Sequence, residues 1–242
     1  MSCTMRSRFM LGVLANGVDM RFFIFSSSHE EKKSDSLVAN LDMTIPSLSL
    51  SRGSNCASVH GLIGFTNSGP FIVYNPSTKT VTTLSCVGAR TYLDERISFI
   101  TAPAVVVGWE GDSILMEYKG KLASIARHPY VPLRSFDLWI LEDTKGQYWS
   151  KQTFELPYSL GQGKEVFSPG TNKAGDIVFA PRYLSNDVQP FFLFCYNVET
   201  KCIRRVRVHG IADSEEFRRH YGLAGECCIY ISPEHIESIA SI

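Results

Sequence analysis

The sequence has no excess of charge of either sign and no long apolar run. Its 242 residues include 24 Lys and Arg against 24 Asp and Glu, so no overall field attracts nucleic acid or an anionic membrane. The apolar run at 9–15 is far shorter than the ~18 residues that cross a bilayer. We therefore predict a soluble chain without nucleic-acid or membrane partners. Arg6 and Arg8 before that run leave a secretory signal as the alternative to a first strand.

Cysteine motifs are missing as well. The chain has 7 Cys, an odd number, with no Cys-x-x-Cys pair and no His at zinc-finger spacing, which predicts reduced thiols and no metal site. Cys195 and Cys227 lie in or beside strand-like runs and are expected in the core. The one candidate glycosylation site is blocked, because Pro76 follows Asn75. These absences favour a cytoplasmic or nuclear location.

Catalytic motifs are absent too. We find no nucleophile elbow, phosphate loop, metal pair or carboxylate pair. His235 stands between Glu234 and Glu237 but has no defined partner, so we expect an exposed or locally bonded histidine. The sequence predicts no catalytic residue, no cofactor and no enzyme activity.

One basic cluster occurs, on the strand-like run that contains Arg204, Arg205 and Arg207. Asp213, Glu215 and Glu216 follow it closely, and no aromatic residues interleave at stacking positions. A solvated strand face is therefore favoured over a nucleic-acid site.

Strand-like runs dominate the chain. Asn16-Gly17 predicts a two-residue turn in a first hairpin, the polar stretch 26–36 predicts a solvated loop, and 37–41 predicts one strand. Helix signals are few. A capping box at 213–216 predicts a two-turn helix that ends at Gly222, and Pro233 predicts a helical turn within 232–237.

Three stretches of the chain share one order of elements. Each has a glycine, an apolar strand, a longer apolar strand, an Asn or Asp that opens a turn with Thr and Lys, and a third strand. The glycines are Gly61, Gly120 and Gly175, and the turns open at Asn75, Asp143 and Asn197. Spacings of 59 and 55 residues are somewhat longer than the ~40–50 residues of a propeller blade. The repeat indicates a propeller.

The chemistry of the strands agrees with that interpretation. The apolar residues 138–141 would bury both faces of the second strand, whereas Val206 and Val208 alternate with Arg205 and Arg207 in a third strand. Blades stacked around an axis bury both faces of their inner strands, which a two-layer sandwich does not. About sixteen strand-like runs, at four per blade, predict an all-β propeller of about four blades.

Several motifs resemble the F-box associated domain, type 3, of plant F-box proteins. They are the segments 58–63, 74–78, 118–123 and 138–143, together with Trp149 and the segment 235–237. The resemblance is clearest over 58–242 and weakest over 1–57, the first strands and the polar loop, so 1–242 is expected to be a single domain. It implies a kelch-like β-propeller that recognises a target protein, while a separate F-box binds the Skp adaptor of a cullin ubiquitin ligase.

The chain departs from that family pattern in two ways. No helical, Leu- and Pro-rich F-box is visible, so binding to the Skp adaptor is not expected. Only 84–117 separates two motifs that are farther apart in the family, which predicts an incomplete ring. The predicted function is non-catalytic binding of an unknown target protein. The alternatives are a propeller enzyme acting on sugars or small molecules, and a truncated product without function.

The candidate residues are therefore mainly architectural. Trp109, beside Glu110-Gly111-Asp112, is the candidate exposed aromatic for protein binding. Trp139 is expected to pack in the core between blades. The residues of the structural signature are Gly61, Asn75, Pro76, Gly120, Trp139, Asp143, Trp149 and Gly175.

Overall fold

Strands make up most of the computed structural model, which describes residues 7–15, 21–28, 36–46, 56–59, 62–65, 71–84, 101–103, 106, 113–127, 135–143, 145, 148–156 and 166–236. The strands are β1 Ser7–Ala15, β2 Arg21–Ser28, β3 Ser36–Val38, β4 Asn40–Pro46, β5 Cys56–Val59, β6 Leu62–Phe65, β7 Phe71–Asn75, β8 Thr80–Leu84, β9 Ser113–Tyr118, β10 Lys121–Arg127, β11 Ser135–Asp143, β12 Tyr148–Glu155, β13 Val166–Thr171, β14 Ile177–Pro181, β15 Tyr183–Leu184, β16 Phe191–Asn197, β17 Cys202–His209 and β18 Cys227–Ile236. The helix α1, Glu215–Tyr221, lies between β17 and β18.

The strands form four sheets, which are the four blades of a β-propeller. Blade 1 is β18-β1-β2-β4, blade 2 is β5-β6-β7-β8, blade 3 is β9-β10-β11-β12 and blade 4 is β13-β14-β16-β17. Strand β13 contacts β9 and β18, and β18 contacts β5, so the first strand of each blade lies nearest the axis. The predicted all-β propeller of about four blades is confirmed.

Blade 1 is built from both ends of the described chain. Strand β18 pairs with β1 in antiparallel register from Leu14 opposite Cys228 to Ser7 opposite Ile236. The register shifts between Arg8 and Met10, which marks a β-bulge. Pro233 lies at this bulge, outside the regular ladder. Its lack of an amide proton therefore breaks no ladder hydrogen bond. The ladder joins the last described strand to the first.

The three repeats of the sequence are the second, third and fourth strands of blades 2, 3 and 4. In blade 2 the Asn75 Oδ1 accepts from the Ser77 and Thr78 amides at 3.0 and 3.3 Å. In blade 4 the Asn197 Oδ1 accepts from the Glu199 and Thr200 amides at 3.1 and 2.9 Å. Each Asn thus closes a turn with its own side chain, which explains why the motif recurs.

Burial along these strands follows the predicted contrast. The first four residues of β11, 135–138, are all buried, although Trp139 and Ile140 are half-buried. In β17, Val206 and Val208 are buried while Arg204 and Arg205 are exposed. The third strand of the blade is therefore covered on both faces and the fourth on one.

Blades 1 and 4 exchange short strands. The connection between β2 and β4 carries β3, which pairs in parallel with the outer strand β17 of blade 4. The connection between β14 and β16 carries β15, which pairs with β18 of blade 1. The sequence repeat predicts neither of these two strands. The prediction of one strand over 37–41 is wrong, because the chain passes from blade 4 to blade 1 at Ala39, whose amide donates to the His209 carbonyl at 2.9 Å.

Among the described residues, the hydrophobic core forms three clusters between neighbouring blades. The cluster between blades 4 and 1 includes Leu11, Phe25, Val178, Leu193 and Ile229. The cluster between blades 3 and 4 includes Ile125, Leu138, Phe154, Phe179 and Tyr196. The cluster between blades 1 and 2 includes Phe22, Ile24, Ile63, Phe65 and Tyr230.

The two helix predictions had different outcomes. Helix α1 is confirmed: the Ser214 Oγ accepts from the Phe217 amide, and Gly222 ends the helix at φ 63°. The helical turn within 232–237 is wrong, because β18 continues through this stretch to Ile236. Ser232, His235 and Ile236 pair with β1, and this pairing outweighs a local signal of a single proline.

Two N-terminal details also differ from expectation. The first hairpin forms, but Ala15 pairs with Arg21, so five residues separate the last paired positions instead of the two of an Asn16-Gly17 turn. Strand β2 extends to Ser28, so the first part of the predicted loop 26–36 is strand, and Ser36 begins β3. The remainder of that loop lies outside the described residues.

Candidate protein-binding surface

The candidate aromatic Trp109 lies outside the described residues, as does Gly61. Pro76 follows Asn75 in the turn of blade 2. In the corresponding turn of blade 3, the Asp143 Oδ1 accepts from the Lys145 amide at 2.9 Å. Gly175 is at φ 80° in the turn between β13 and β14. The candidates that the structure places are thus turn residues, apart from the two tryptophans of blade 3.

Those two tryptophans lie on the face of blade 3 that points away from blade 4. Trp139 is half-buried and belongs to none of the three core clusters, so the expectation of a core residue is not met. Its ring lies 5.4 Å from the Lys151 Nζ, which also pairs with the Asp137 carboxylate at 2.9 Å. The Trp149 Nε1 donates to the Thr101 carbonyl at 3.0 Å.

One end of blades 3 and 4, which we call the turn face, consists of short hairpin turns. It comprises Lys119, Gly120, Asp143, Lys145, residues 172–175 and residues 198–201. Within blade 4 the Asn197 Nδ2 donates to the Asp176 Oδ1 at 2.9 Å. Between the blades, Lys119 pairs with Glu199. The polar groups of this face largely bind one another.

Ion pairs at or beside the turn face lower the pKa of two carboxyl groups. The hydrogen bond from Lys119 holds the pKa of Glu199 below its ordinary value. Hydrogen bonds from Lys121 and Ser150 do the same for the pKa of Glu142. All of these groups are exposed to water, so the pairs orient the turns more than they stabilise the fold.

A second polar cluster joins blades 1 and 2. The Tyr74 hydroxyl donates to the Asp42 Oδ2 at 2.8 Å, and the Lys79 Nζ lies 3.6 Å from the Asp42 Oδ1. Burial of the ring, together with the bond to Asp42, raises the pKa of Tyr74 well above its ordinary value. Sequence reasoning missed this cluster, because Tyr74 and Asp42 are 32 residues apart and no motif connects the two residues.

The opposite end of blade 4, which we call the loop face, has longer connections. It comprises residues 182–190 and 210–226, the latter with α1. Arg218 on α1 ties both connections together: its Nη1 donates to the Ser185 carbonyl at 2.6 Å and its Nη2 to the Gly225 carbonyl at 3.0 Å. Residues 186–190 beside this clamp are exposed, and among them Val188 is 40% exposed.

Some side chains of the basic cluster contact neighbouring residues, and others face solvent. The Arg205 guanidinium lies over the Phe192 ring, with its central carbon 4.3 Å from the ring centre. The Arg207 Nη2 lies 3.4 Å from the Asp213 Oδ1. Arg204 and Arg205 are exposed, as predicted for a solvated strand face. His235 was expected to be exposed or locally bonded, and its burial in β18 rules out the first of these alternatives.

The remaining reactive side chains lie mostly in the core. Cys195, Cys227 and Cys228 are buried, which confirms the core placement expected for the first two. Burial raises the pKa of the Cys195 thiol, which reduces its reactivity. No group of three His, Cys, Asp or Glu residues that could hold a metal occurs among the described residues. In that same part of the chain, no helix is long and apolar enough to span a membrane.

Comparison with known proteins gives one consistent result. Residues 8–93 and 91–236 match the family described as F-box associated beta propeller domain. F-box protein At1g30790 of Arabidopsis thaliana is 36% identical over an alignment that covers 97% of this chain and 86% of the relative. Putative F-box protein At1g32660 and F-box protein DOR, both of Arabidopsis thaliana, are 51% and 36% identical over 60% and 40% of this chain, and over 34% and 26% of their own lengths. The chain belongs to the F-box associated β-propeller family.

Proposed function

We propose that this protein is a non-catalytic protein-binding domain, a single propeller over 1–242, that recognises its target through the loop face of blade 4. The observation that carries the proposal is the Arg218 clamp, which holds two long connections in one arrangement. Binding residues of rigid scaffolds are found disproportionately on such loops. Membership of an F-box associated family supports a role in target recognition.

The two ends of blade 4 differ in what they can offer a partner. On the turn face, Asn197 already binds Asp176 and Glu199 already binds Lys119, so a ligand would have to displace existing contacts. On the loop face, exposed Val188 stands among polar neighbours. A small apolar anchor within a polar rim is the usual composition of a protein interface.

A target-binding experiment with matched variants tests the proposal. We expect Val188→Glu to abolish capture of the proteins that the wild-type domain retains from a plant extract, as identified by mass spectrometry. Lys173→Glu changes an exposed residue of the turn face and should leave the captured set unchanged. Both variants should unfold at the wild-type temperature. Loss of the same proteins from the Lys173 variant, or retention by the Val188 variant, contradicts the loop-face assignment.

We propose further that this domain works without the Skp adaptor as a direct partner, in the cytoplasm or nucleus. The matched family region is the associated propeller, and adaptor binding in such proteins is expected from the F-box. We therefore expect no complex between residues 1–242 and a purified plant Skp adaptor in size-exclusion chromatography. Co-elution at micromolar concentration would overturn this part of the proposal.

A further inference from the structure

Helix α1 lies on the propeller without entering its core. None of the residues of Glu215–Tyr221 is buried. Phe217 and Tyr221, one helical turn apart, pack against the core cluster between blades 4 and 1. The Tyr221 ring centre lies 5.0 Å from that of Phe23 and 5.5 Å from that of Phe25, and the Phe217 ring centre lies 5.9 Å from that of Phe25. One pair of aromatic side chains thus attaches the helix to blade 1.

The backbone on each side of α1 has the form of a hinge. Ala212 and Gly222 are both in the left-handed region, at φ 55° and φ 63°. Directly outside them, Ile211 is 0% exposed and Leu223 is 5% exposed, and both belong to the core cluster between blades 4 and 1. Changes of φ and ψ at one or two residues are enough to swing an element between fixed ends. We call residues 213–221 the lid.

A few polar contacts hold the lid closed. The Arg218 Nη1 donates to the Ser185 carbonyl at 2.6 Å and the Nη2 to the Gly225 carbonyl at 3.0 Å. The Asp213 Oδ1 lies 3.4 Å from the Arg207 Nη2, in a partly exposed pair that contributes little. Elements with few buried side chains open at a low free energy compared with the whole fold. The lid therefore has the features of a segment that opens by itself.

Opening of the lid uncovers a defined surface on blade 1. Phe23 and Phe25 are 4% and 2% exposed when the lid is closed, and they share one face of β2 because they are two residues apart. The carbonyl groups of Ser185 and Gly225 lose their donor at the same time. Blades 4 and 1 stay joined, because β3 and β15 cross between them. The uncovered site is thus two aromatic rings beside two backbone acceptors.

We propose that the lid is an internal occupant of a helix-binding site on β2, and that a helix of a partner protein displaces it. The lid itself shows the chemistry that fits: aromatic side chains at positions i and i+4, and an arginine at position i+1. An amphipathic helix that binds by such anchors is a common mode of peptide recognition. The site does not involve Val188, so the target capture proposed above and this helix binding stand or fall separately.

Hydrogen exchange tests whether the lid opens by itself. We expect Arg218→Ala to speed exchange of the α1 amides by about tenfold or more, because two hydrogen bonds from a charged group are lost. The amides of β1 and β2 should keep their wild-type rates. Arg219→Ala, at the exposed neighbouring position, is the matched control and should change neither set. Equal protection of α1 and β2 in the wild type and in Arg218→Ala would show that no lid exists.

A labelled peptide with the sequence of residues 210–225 is the probe for the site. The lid competes with it at the high effective concentration of a tethered segment. We expect the full chain with Phe217→Ala and Tyr221→Ala to bind the peptide at least about tenfold more tightly than the wild type does, as measured by fluorescence anisotropy. The full chain with Arg218→Ala should show a smaller gain. A peptide that carries the same two alanines should bind no form of the chain.

The proposal is overturned by equal or undetectable binding of the peptide to the wild type and both variants. It is also overturned if the peptide without its two rings binds as well as the original. Arg218→Ala keeps Phe217 and Tyr221, so it decides the outcome if the double variant does not fold. A concentration-dependent dimer of Arg218→Ala in size-exclusion chromatography would assign the site to α1 of a second copy, which contradicts the assignment to a partner protein.

Discussion

The seam between blades 4 and 1 and the seam between blades 3 and 4 are held together by different interactions. At the first seam, strands β3 and β15 cross between blades and bind by backbone ladders, and α1 adds Phe217 and Tyr221 against the rings of blade 1. At the second seam, the described contacts are made by side chains: an aromatic cluster, the Thr171 hydroxyl bonded to the Glu117 carbonyl, and the Lys119 to Glu199 pair.

This difference follows from how the chain runs. Blades 3 and 4 are consecutive in sequence, so the connection from β12 to β13 already limits their separation. Blade 1 contains β18 together with β1, and no short connection holds blade 4 against the N-terminal strands. Exchanged strands supply backbone hydrogen bonds across that seam, which the loss of one side chain cannot remove.

The largest expected effect is at the side-chain seam. Phe154 packs with its ring centre 4.7 Å from that of Tyr196 and 6.1 Å from that of Phe136. We expect Phe154→Ala to lower the free energy of unfolding by about 3–5 kcal/mol, because a buried cavity remains. Urea denaturation measures this. The control is Phe192→Ala, at a half-buried ring under Arg205, which should lower the free energy of unfolding by only about 1 kcal/mol. Similar losses in the two variants would show that Phe154 does not pack in the seam.

The exchanged strand can be tested at Gly210. A Cβ added there would lie 2.6 Å from the Ala39 carbonyl oxygen, at φ 80°. Gly175 has the same φ, but nothing lies within 4 Å of its added Cβ. Both alanine variants pay the backbone cost of about 1–2 kcal/mol, and we expect Gly210→Ala to lose about 1–3 kcal/mol more because β3 must move.

Hydrogen exchange separates the two glycine variants further. The Ala39 amide, which donates to the His209 carbonyl, should exchange faster in Gly210→Ala and at the wild-type rate in Gly175→Ala. Equal stability of the two variants would show that the close approach of β3 to blade 4 contributes nothing to the seam.

The seam between blades 1 and 2 provides a third case, a buried polar link. Tyr74→Phe removes the hydrogen bond to Asp42 and should cost about 1–2 kcal/mol at neutral pH. Burial and Asp42 raise the pKa of Tyr74 above the ordinary 10.0, so above that pH the unfolded chain loses a proton that the folded chain keeps. Stability from this group is therefore present below pH 10 and falls as the pH rises further.

Denaturation curves between pH 8 and pH 11 test the sign of that effect. The decline of the free energy of unfolding above pH 10 should be shallower in Tyr74→Phe than in the wild type. Tyr148→Phe, at an exposed ring on blade 3, is the matched control and should follow the wild-type slope. A steeper decline in the Tyr74 variant would contradict the assignment.

The smallest effect is expected for the exposed pair on the turn face. Glu199→Gln should leave the denaturation midpoint unchanged, because water screens the pair with Lys119. The pair should still be visible by NMR titration, since Lys119 lowers the pKa of Glu199. In Lys119→Met that pKa should return to its ordinary value. If the pKa of Glu199 is the same in Lys119→Met as in the wild type, the pair between Lys119 and Glu199 does not contribute to the seam.

Much of each blade was predictable because its signals are local. Asn75 and Asn197 close their turns with their own side chains. Ser214 begins α1 with its side chain, and Gly222 ends it with a left-handed backbone conformation. Such interactions span a few residues, so they leave a pattern in the sequence. The aliphatic residues of β11 and the alternating Val and Arg of β17 likewise showed how many faces each strand would bury.

The wrong predictions concern places where a distant partner overrides a local signal. Pro233 suggested a helical turn, but β1 holds that segment in β18 through a bulge. The stretch 37–41 was interpreted as one strand, but it divides at Ala39 because its halves bind different blades. Nothing local marks Tyr74 and Asp42 as partners, or Arg218 as the clamp of the loop face.

By itself, the sequence determined the blade unit and the approximate number of blades, because glycine spacing, turn chemistry and strand burial act within about fifty residues. Tertiary structure alone decided how the blades join: which strands cross the seam between blades 4 and 1, where Arg218 binds, and how Tyr74 and Asp42 link blades 1 and 2. These features depend on contacts between residues far apart in the chain, and such contacts are specified by the packing of whole sheets.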